Sequence, residues 1–180
     1  MKNAKELTSL YVLGLGLLIA APIMGYSDDD RRPRANVIAV AGQSDWWILP
    51  PAIPSEYVTF HPDGSVTMRD MPLAGNFEMD GDGVSIQGVI TGELNADLDP
   101  TLSGPIYGPV VVTQTIEGKE KIIFKGEFFG TVTALLASGQ VVFHGVGPYA
   151  GTRVASSFQE TEANSEVFTY TGHLLDRRKD

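Results

Sequence analysis

The stretch VSIQGVITGELN, Val84 to Asn95, decides the fold because its two faces read differently. Val84, Ile86, Gly88, Ile90, Gly92 and Leu94 fall on one side of an extended chain, and Ser85, Gln87, Val89, Thr91 and Glu93 on the other. A period of two marks a strand with one face in a core and one in water. KIIFKGEFFGTV, Lys121 to Val132, repeats the device. There the alternation predicts Ile122, Phe124, Gly126, Phe128, Gly130 and Val132 inside, with Lys121, Lys125, Glu127, Thr131 and the following Thr133 outside. In both stretches the inward face alternates bulk with glycine. Mid-strand glycine costs roughly 0.5–1 kcal/mol relative to alanine, so glycines four residues apart need a compensating gain. Curvature supplies one, since a strand bends where no Cβ crowds its concave face, and a sheet that bends repeatedly closes on itself.

Outward from these two stretches the period-two pattern continues. Further strands are expected at Asn36–Ala41, Tyr57–Phe60, Ser65–Met71, Val110–Ile116, Gln140–Val146, Thr152–Glu160 and Glu166–Leu175, with the two quoted strands spanning Val84–Leu94 and Glu120–Ala134. His61-Pro62-Asp63-Gly64 and Glu117-Gly118-Lys119 read as hairpin turns. The proline-rich Leu49–Glu56 and the segment Asp97–Gly108 read as loops. No amphipathic helix is expected beyond residue 27. The fold class is therefore all-β, an antiparallel closed or nearly closed barrel of about eight strands preceded by an N-terminal signal helix. Closure removes the edges that an open sheet of this many strands would expose. A two-layer sandwich with glycines at bulges is the alternative.

The N-terminus sets the compartment. Lys2 and Lys5 precede an uncharged run, Leu7 to Ser27, with its most apolar part from Leu10 to Ala21 and small residues Gly25 and Ser27 before Asp28. A basic start, a short apolar centre broken at Pro22 and a small-residue site fit a secretory leader over residues 1–27. An uncleaved anchor is the competing expectation, since about 20 apolar residues span a bilayer. In both cases the rest of the chain is expected to be secreted, periplasmic or otherwise extracytoplasmic. Residues 28–35 form a charged spacer, and residues 36–180 a single barrel domain. Loss of Lys2, Lys5 and Glu6 with the leader takes the formal charge from −9 to −10. Nucleic acid is not expected as a partner, because Lys and Arg cluster only at Arg31, Arg32 and Arg34 and at Arg177, Arg178 and Lys179. The chain has no cysteine, which removes thiol nucleophiles, zinc ribbons and disulfides from consideration.

No constellation points to a specific chemistry. His61, His144 and His173 are the three imidazoles, and the strand pattern favours structural roles over metal ligation for them. Asn76, Glu78, Asp80 and Asp82 alternate in NFEMDGDG, but the twelfth position from Asp80 is Thr91 where an EF-hand needs Glu. An acidic Gly-rich turn is expected there instead. There is no Gly-x-Ser-x-Gly elbow, and Asp97 and Asp99 lie in a loop without an apolar pocket. The adjacent pair Trp46-Trp47 should point to opposite faces, one indole plugging the barrel and the other exposed.

FHGVGPYAGTRVASSFQET, Phe143 to Thr161, with Gly145, Gly147, Tyr149, Ala150 and Gly151, resembles the Gly-rich turn and strand of secreted, calycin-like barrels of the allene oxide cyclase and dirigent type. The resemblance implies a closed barrel whose apolar interior binds or reshapes small lipophilic molecules. It places no catalytic residue.

The expectation is an exported acidic barrel, without cofactor, metal or catalytic residues, that binds a small lipophilic molecule or serves a structural role. The candidate ligand contacts are Trp46, Trp47, Phe124, Phe128, Tyr149 and Tyr170. A cyclase- or isomerase-type enzyme using Tyr149, Tyr170 and Glu160 is one alternative, and an adhesion module with exposed aromatics another. A membrane contact is expected only through an uncleaved N-terminal segment. N-terminal sequencing of exported material should return a chain beginning near Asp28; membrane-bound protein retaining Met1 would establish the anchor instead.

Overall fold

The computed structural model describes residues 36–48, 56–163 and 165–177. The leader, the spacer and most of the proline-rich segment lie outside them. Nine strands follow in order: β1 (Asn36–Ile48), β2 (Val58–Phe60), β3 (Val66–Gly81), β4 (Val84–Leu98), β5 (Gly104–Ile116), β6 (Lys119–Thr133), β7 (Leu136–Gly145), β8 (Thr152–Glu160) and β9 (Val167–Asp176), with a single 3₁₀ turn at Gly147–Tyr149. From β3 to β9 each strand pairs antiparallel with the next, and β1 pairs with both β9 and β3. Eight strands thus close a barrel; β2 adds only three pairs to the start of β3. Closure excludes the sandwich.

Glycine makes this closure possible. A Cβ placed on Gly126 would overlap the carbonyl oxygen of Val142 on β7, and one on Gly130 would overlap that of Ser138. The neighbouring strand occupies the space a side chain would need, so the strands coil more tightly than any other residue permits.

The core is an alternating inward face, as β8 shows most simply: Thr152, Val154, Ser156, Phe158 and Glu160 are buried and the residues between them exposed. On β4, Ser85, Gln87, Thr91 and Glu93 are exposed, and on β6 so are Lys121, Lys125, Glu127 and Thr131. Between these polar residues the outward face also carries exposed Val89, Ile122 and Phe129. Among the described residues one buried hydroxyl, Ser156 Oγ, has no hydrogen-bond partner.

Several expectations are corrected. β1 runs on to Ile48, so Trp46 lies within a strand. Asn76–Gly81, expected as an acidic turn, is the end of β3, and only Asp82-Gly83 turns; Asn76, Glu78 and Asp80 lie along its outward-alternating positions. Of the loop expected over residues 97–108, only residues 99–103 remain, tied by the Asp99 carboxylate to Thr101 and Ser103. Ile122 is outside at 41% exposure, while Ile123 is fully buried. The cause is a bulge: Val112 pairs with Phe124 and Thr113 with Ile122, so Ile123 is the extra residue, and both it and Phe124 turn inward.

Val at position 126 should cost about 1–3 kcal/mol in denaturant unfolding, because overpacking against Val142 and Phe143 outweighs any gain from removing a flexible residue. The outward neighbour change Glu127→Val should stay within about 0.5 kcal/mol. A Gly126→Val protein melting at or above the parent temperature would refute the role of glycine in coiling.

Candidate ligand-binding cavity

The barrel interior divides into two halves of different packing. The half nearest the turns at Asp82-Gly83 and Glu117-Gly118 and the 3₁₀ turn holds closely packed rings and the most deeply buried aliphatic side chains. Phe77 packs edge-on against Phe143 at 5.5 Å, Phe143 against Phe124 at 6.2 Å, and Phe124 against Tyr149 at 5.1 Å between ring centroids. Met79, Ile86, Val112 and Ile123 around them are completely buried.

The other half, under the turns 99–103, 134–135 and 161–166, holds a cavity of about 190 Å³. Four aromatic side chains in mutual contact line it. Trp46 meets Phe128 at 6.5 Å, Phe128 meets Phe158 at 6.3 Å, and Phe158 meets Tyr170 at 6.5 Å. The circle closes where Trp46 Nε1 donates to Tyr170 Oη at 3.2 Å. Phe168 extends it, edge-on to Phe158 at 6.0 Å. Ile90, Val110, Val141, Leu73, Leu94 and Val132 supply aliphatic walls. These rings also cover inward glycines: a Cβ on Gly108 would lie 3.2 Å from Phe128, one on Gly139 2.8 Å from Phe158, and one on Gly92 3.6 Å from Trp46. At Gly108 and Gly139 the place of the missing side chain is taken by the neighbouring backbone and ring, so a side chain there would collide.

Three polar groups reach the cavity. Tyr170 Oη shares a 2.7 Å hydrogen bond with Ser44 Oγ besides accepting from Trp46, and burial pushes its pKa above the ordinary 10.0 despite those two bonds. Glu160 is 7% exposed. Its Oε2 accepts from the Ala137 amide at 3.0 Å and its Oε1 from the Glu166 amide at 3.3 Å, linking the start of β7 to the turn before β9. Glu166 is the third group and also lines the cavity.

Backbone strain gathers at this end. Of the described non-glycine residues with left-handed φ, Asp70, Leu102, Ala134, Leu135 and Glu166 lie at or next to it, and Glu117 at the opposite end. Each such residue costs on the order of 1–3 kcal/mol, and strain of this kind concentrates where a binding surface is held in shape. Ala134-Leu135 makes a two-residue turn with both φ positive and no glycine, where Asn-Gly would be relaxed.

The structure brings together three of the expected contact residues, Trp46, Phe128 and Tyr170. Phe124 and Tyr149 pack at the filled end instead, and the Trp47 side chain lies outside the described residues, although its backbone pairs with Ala74. Of the alternative enzyme's residues, Tyr170 and Glu160 line the cavity and Tyr149 does not. Phe158, Phe168 and Glu166 were not singled out from sequence. The alternation in VASSFQE marks Phe158 and Glu160 as sharing a face, which was the available signal. His144 and His173 are exposed, His61 Nε2 lies 3.0 Å from Thr67 Oγ1 in its turn, and no three metal-binding side chains converge among the described residues. A second hollow of about 440 Å³ lies among the polar side chains Gln43, Asp45, Asn76, Glu78 and Gln87, with Phe77 as its one aromatic lining residue. No family model, curated protein or solved structure matches this chain.

Tyr170→Phe should destabilise the fold by about 1–3 kcal/mol, because it leaves Ser44 Oγ and Trp46 Nε1 buried without their partner. The pH dependence has a definite sign. The folded state holds Tyr170 protonated past the point where the unfolded chain ionises, so its contribution is intact below about pH 10 and is lost as pH rises through the raised folded value. Unfolding measured from pH 8 to 11 should show a smaller alkaline loss in Tyr170→Phe than in the parent; equal losses would contradict the assignment.

Proposed function

We propose that this protein is a non-catalytic, exported barrel that binds a small lipophilic molecule in the cavity between Trp46, Phe128, Phe158 and Tyr170. The observation that carries the reading is the contrast between the two ends of the interior: one holds a run of deeply buried aromatic and aliphatic side chains, while the other keeps an apolar, partly open cavity of about 190 Å³. An apolar void of about 150 Å³ is large enough for a single aromatic ring, so the occupant is of one-ring or short-chain size. Tyr170 and Glu160, the polar groups an enzyme of the cyclase or isomerase type would need, are both engaged in holding strands together. That favours binding over catalysis. The resemblance of Phe143–Thr161 to secreted lipophile-handling barrels agrees with this reading, although its Gly-rich turn lies at the filled end.

Trp46 and Trp47 are the only tryptophans in the chain, so intrinsic fluorescence reports on the cavity directly. Single-ring lipophiles titrated into residues 28–180 should give a saturable change at micromolar to millimolar concentration. The change should vanish in Trp46→Phe and persist in Trp47→Phe. Absence of saturation with every probe, in a barrel shown to be folded, would overturn the binding reading and leave a structural or adhesive role.

A further inference from the structure

The charged groups around the cavity are all of one sign, and they restrict what the lipophile can carry. Among the described lining residues there is no Lys, Arg or His; the ionisable ones besides Tyr170 are Glu160 and Glu166. An ionised carboxylate accepts hydrogen bonds and donates none, and its two oxygens have about four acceptor positions. The Ala137 and Glu166 amides use one position on each oxygen of Glu160. Acceptor capacity therefore remains at the cavity, where no cationic side chain among the described lining residues uses it. The same cavity is lined by the rings of Trp46, Phe128, Phe158 and Phe168, at successive centroid spacings of 6.0–6.5 Å. Their faces attract cations through the ring quadrupole, most strongly where water is excluded. The whole chain carries a formal charge of −9, which draws cations toward the barrel and repels anions.

We infer that the ligand is a small organic cation, an ammonium group attached to a one-ring or short alkyl body. This rests on the binding reading above and narrows it. The apolar body fills the space between Phe128, Phe158 and Ile90, and the ammonium donates toward Glu160 and Glu166 at the rim. Fatty acids and other carboxylates are excluded, since a third carboxylate would enter a site holding two and offering no cation.

The test uses three probes sharing one carbon skeleton: 2-phenylethylammonium, 2-phenylethanol and phenylacetate, titrated against the folded barrel at pH 7 and low salt. The cation should bind about tenfold tighter than the alcohol, and phenylacetate weakest. Glu166→Gln keeps the backbone amide that Glu160 accepts from, and should lower the cation-to-alcohol affinity ratio several-fold; raised salt should lower it too. Binding of the alcohol with equal or weaker binding of the cation would overturn this inference and leave the lipophile reading standing. Tightest binding of phenylacetate, or a ratio unmoved by Glu166→Gln, would also overturn it. If none of the three bound, the binding reading itself would fail.

Discussion

The barrel depends on neighbouring strands approaching one another on its concave face more closely than a Cβ allows. At Gly126 and Gly130 the carbonyl oxygens of Val142 and Ser138 stand where side-chain carbons would be. Tight coiling lets β1 reach β3 and β9 together, and this double pairing removes both edges of the eight-stranded sheet. Bulk on the inward face must then come from the residues between the glycines, which is why aromatic side chains dominate the interior.

The two ends of the barrel are packed differently. At one end Phe77, Phe143, Phe124 and Tyr149 stack into a continuous column, and the Ile123 bulge adds a further apolar side chain to it. At the other, four aromatics stand around the wall and leave the centre open. Tyr170 joins the halves, packing on Phe77 at 5.7 Å while bonding Ser44 and Trp46. Glu160 fastens the open end through two backbone amides, and the left-handed residues cluster there. A structure optimised only for stability would fill the void and relax Ala134-Leu135. Their persistence at one end is the physical ground for placing function there.

Much of this was legible in the residues themselves. The alternation of Val84–Leu94 gave the right inward face throughout, because no bulge interrupts it. The same rule failed at Ile122 because Ile122, Ile123 and Phe124 are all apolar, so nothing local shows which residue is extra. Asn76–Gly81 read as a turn because acidic residues and glycine favour turns; pairing with β1 and β4 on both sides overrides that preference. Trp46, Phe128 and Tyr170 could be proposed as contacts from their types and faces. Which end of the barrel they share with Phe158, Phe168 and Glu160 depends on strand register, and register is fixed by turns and bulges far apart in sequence.

Xenon under pressure tests the central claim most directly, because it enters dry apolar voids and ignores packed cores. Crystals of residues 28–180 exposed to the gas should show one strong peak inside the ring of Trp46, Phe128, Phe158 and Tyr170, with none among Phe77, Phe124 and Phe143. An interior without xenon, or a peak at the Phe124 end instead, would contradict the division of the barrel into a filled half and a hollow one.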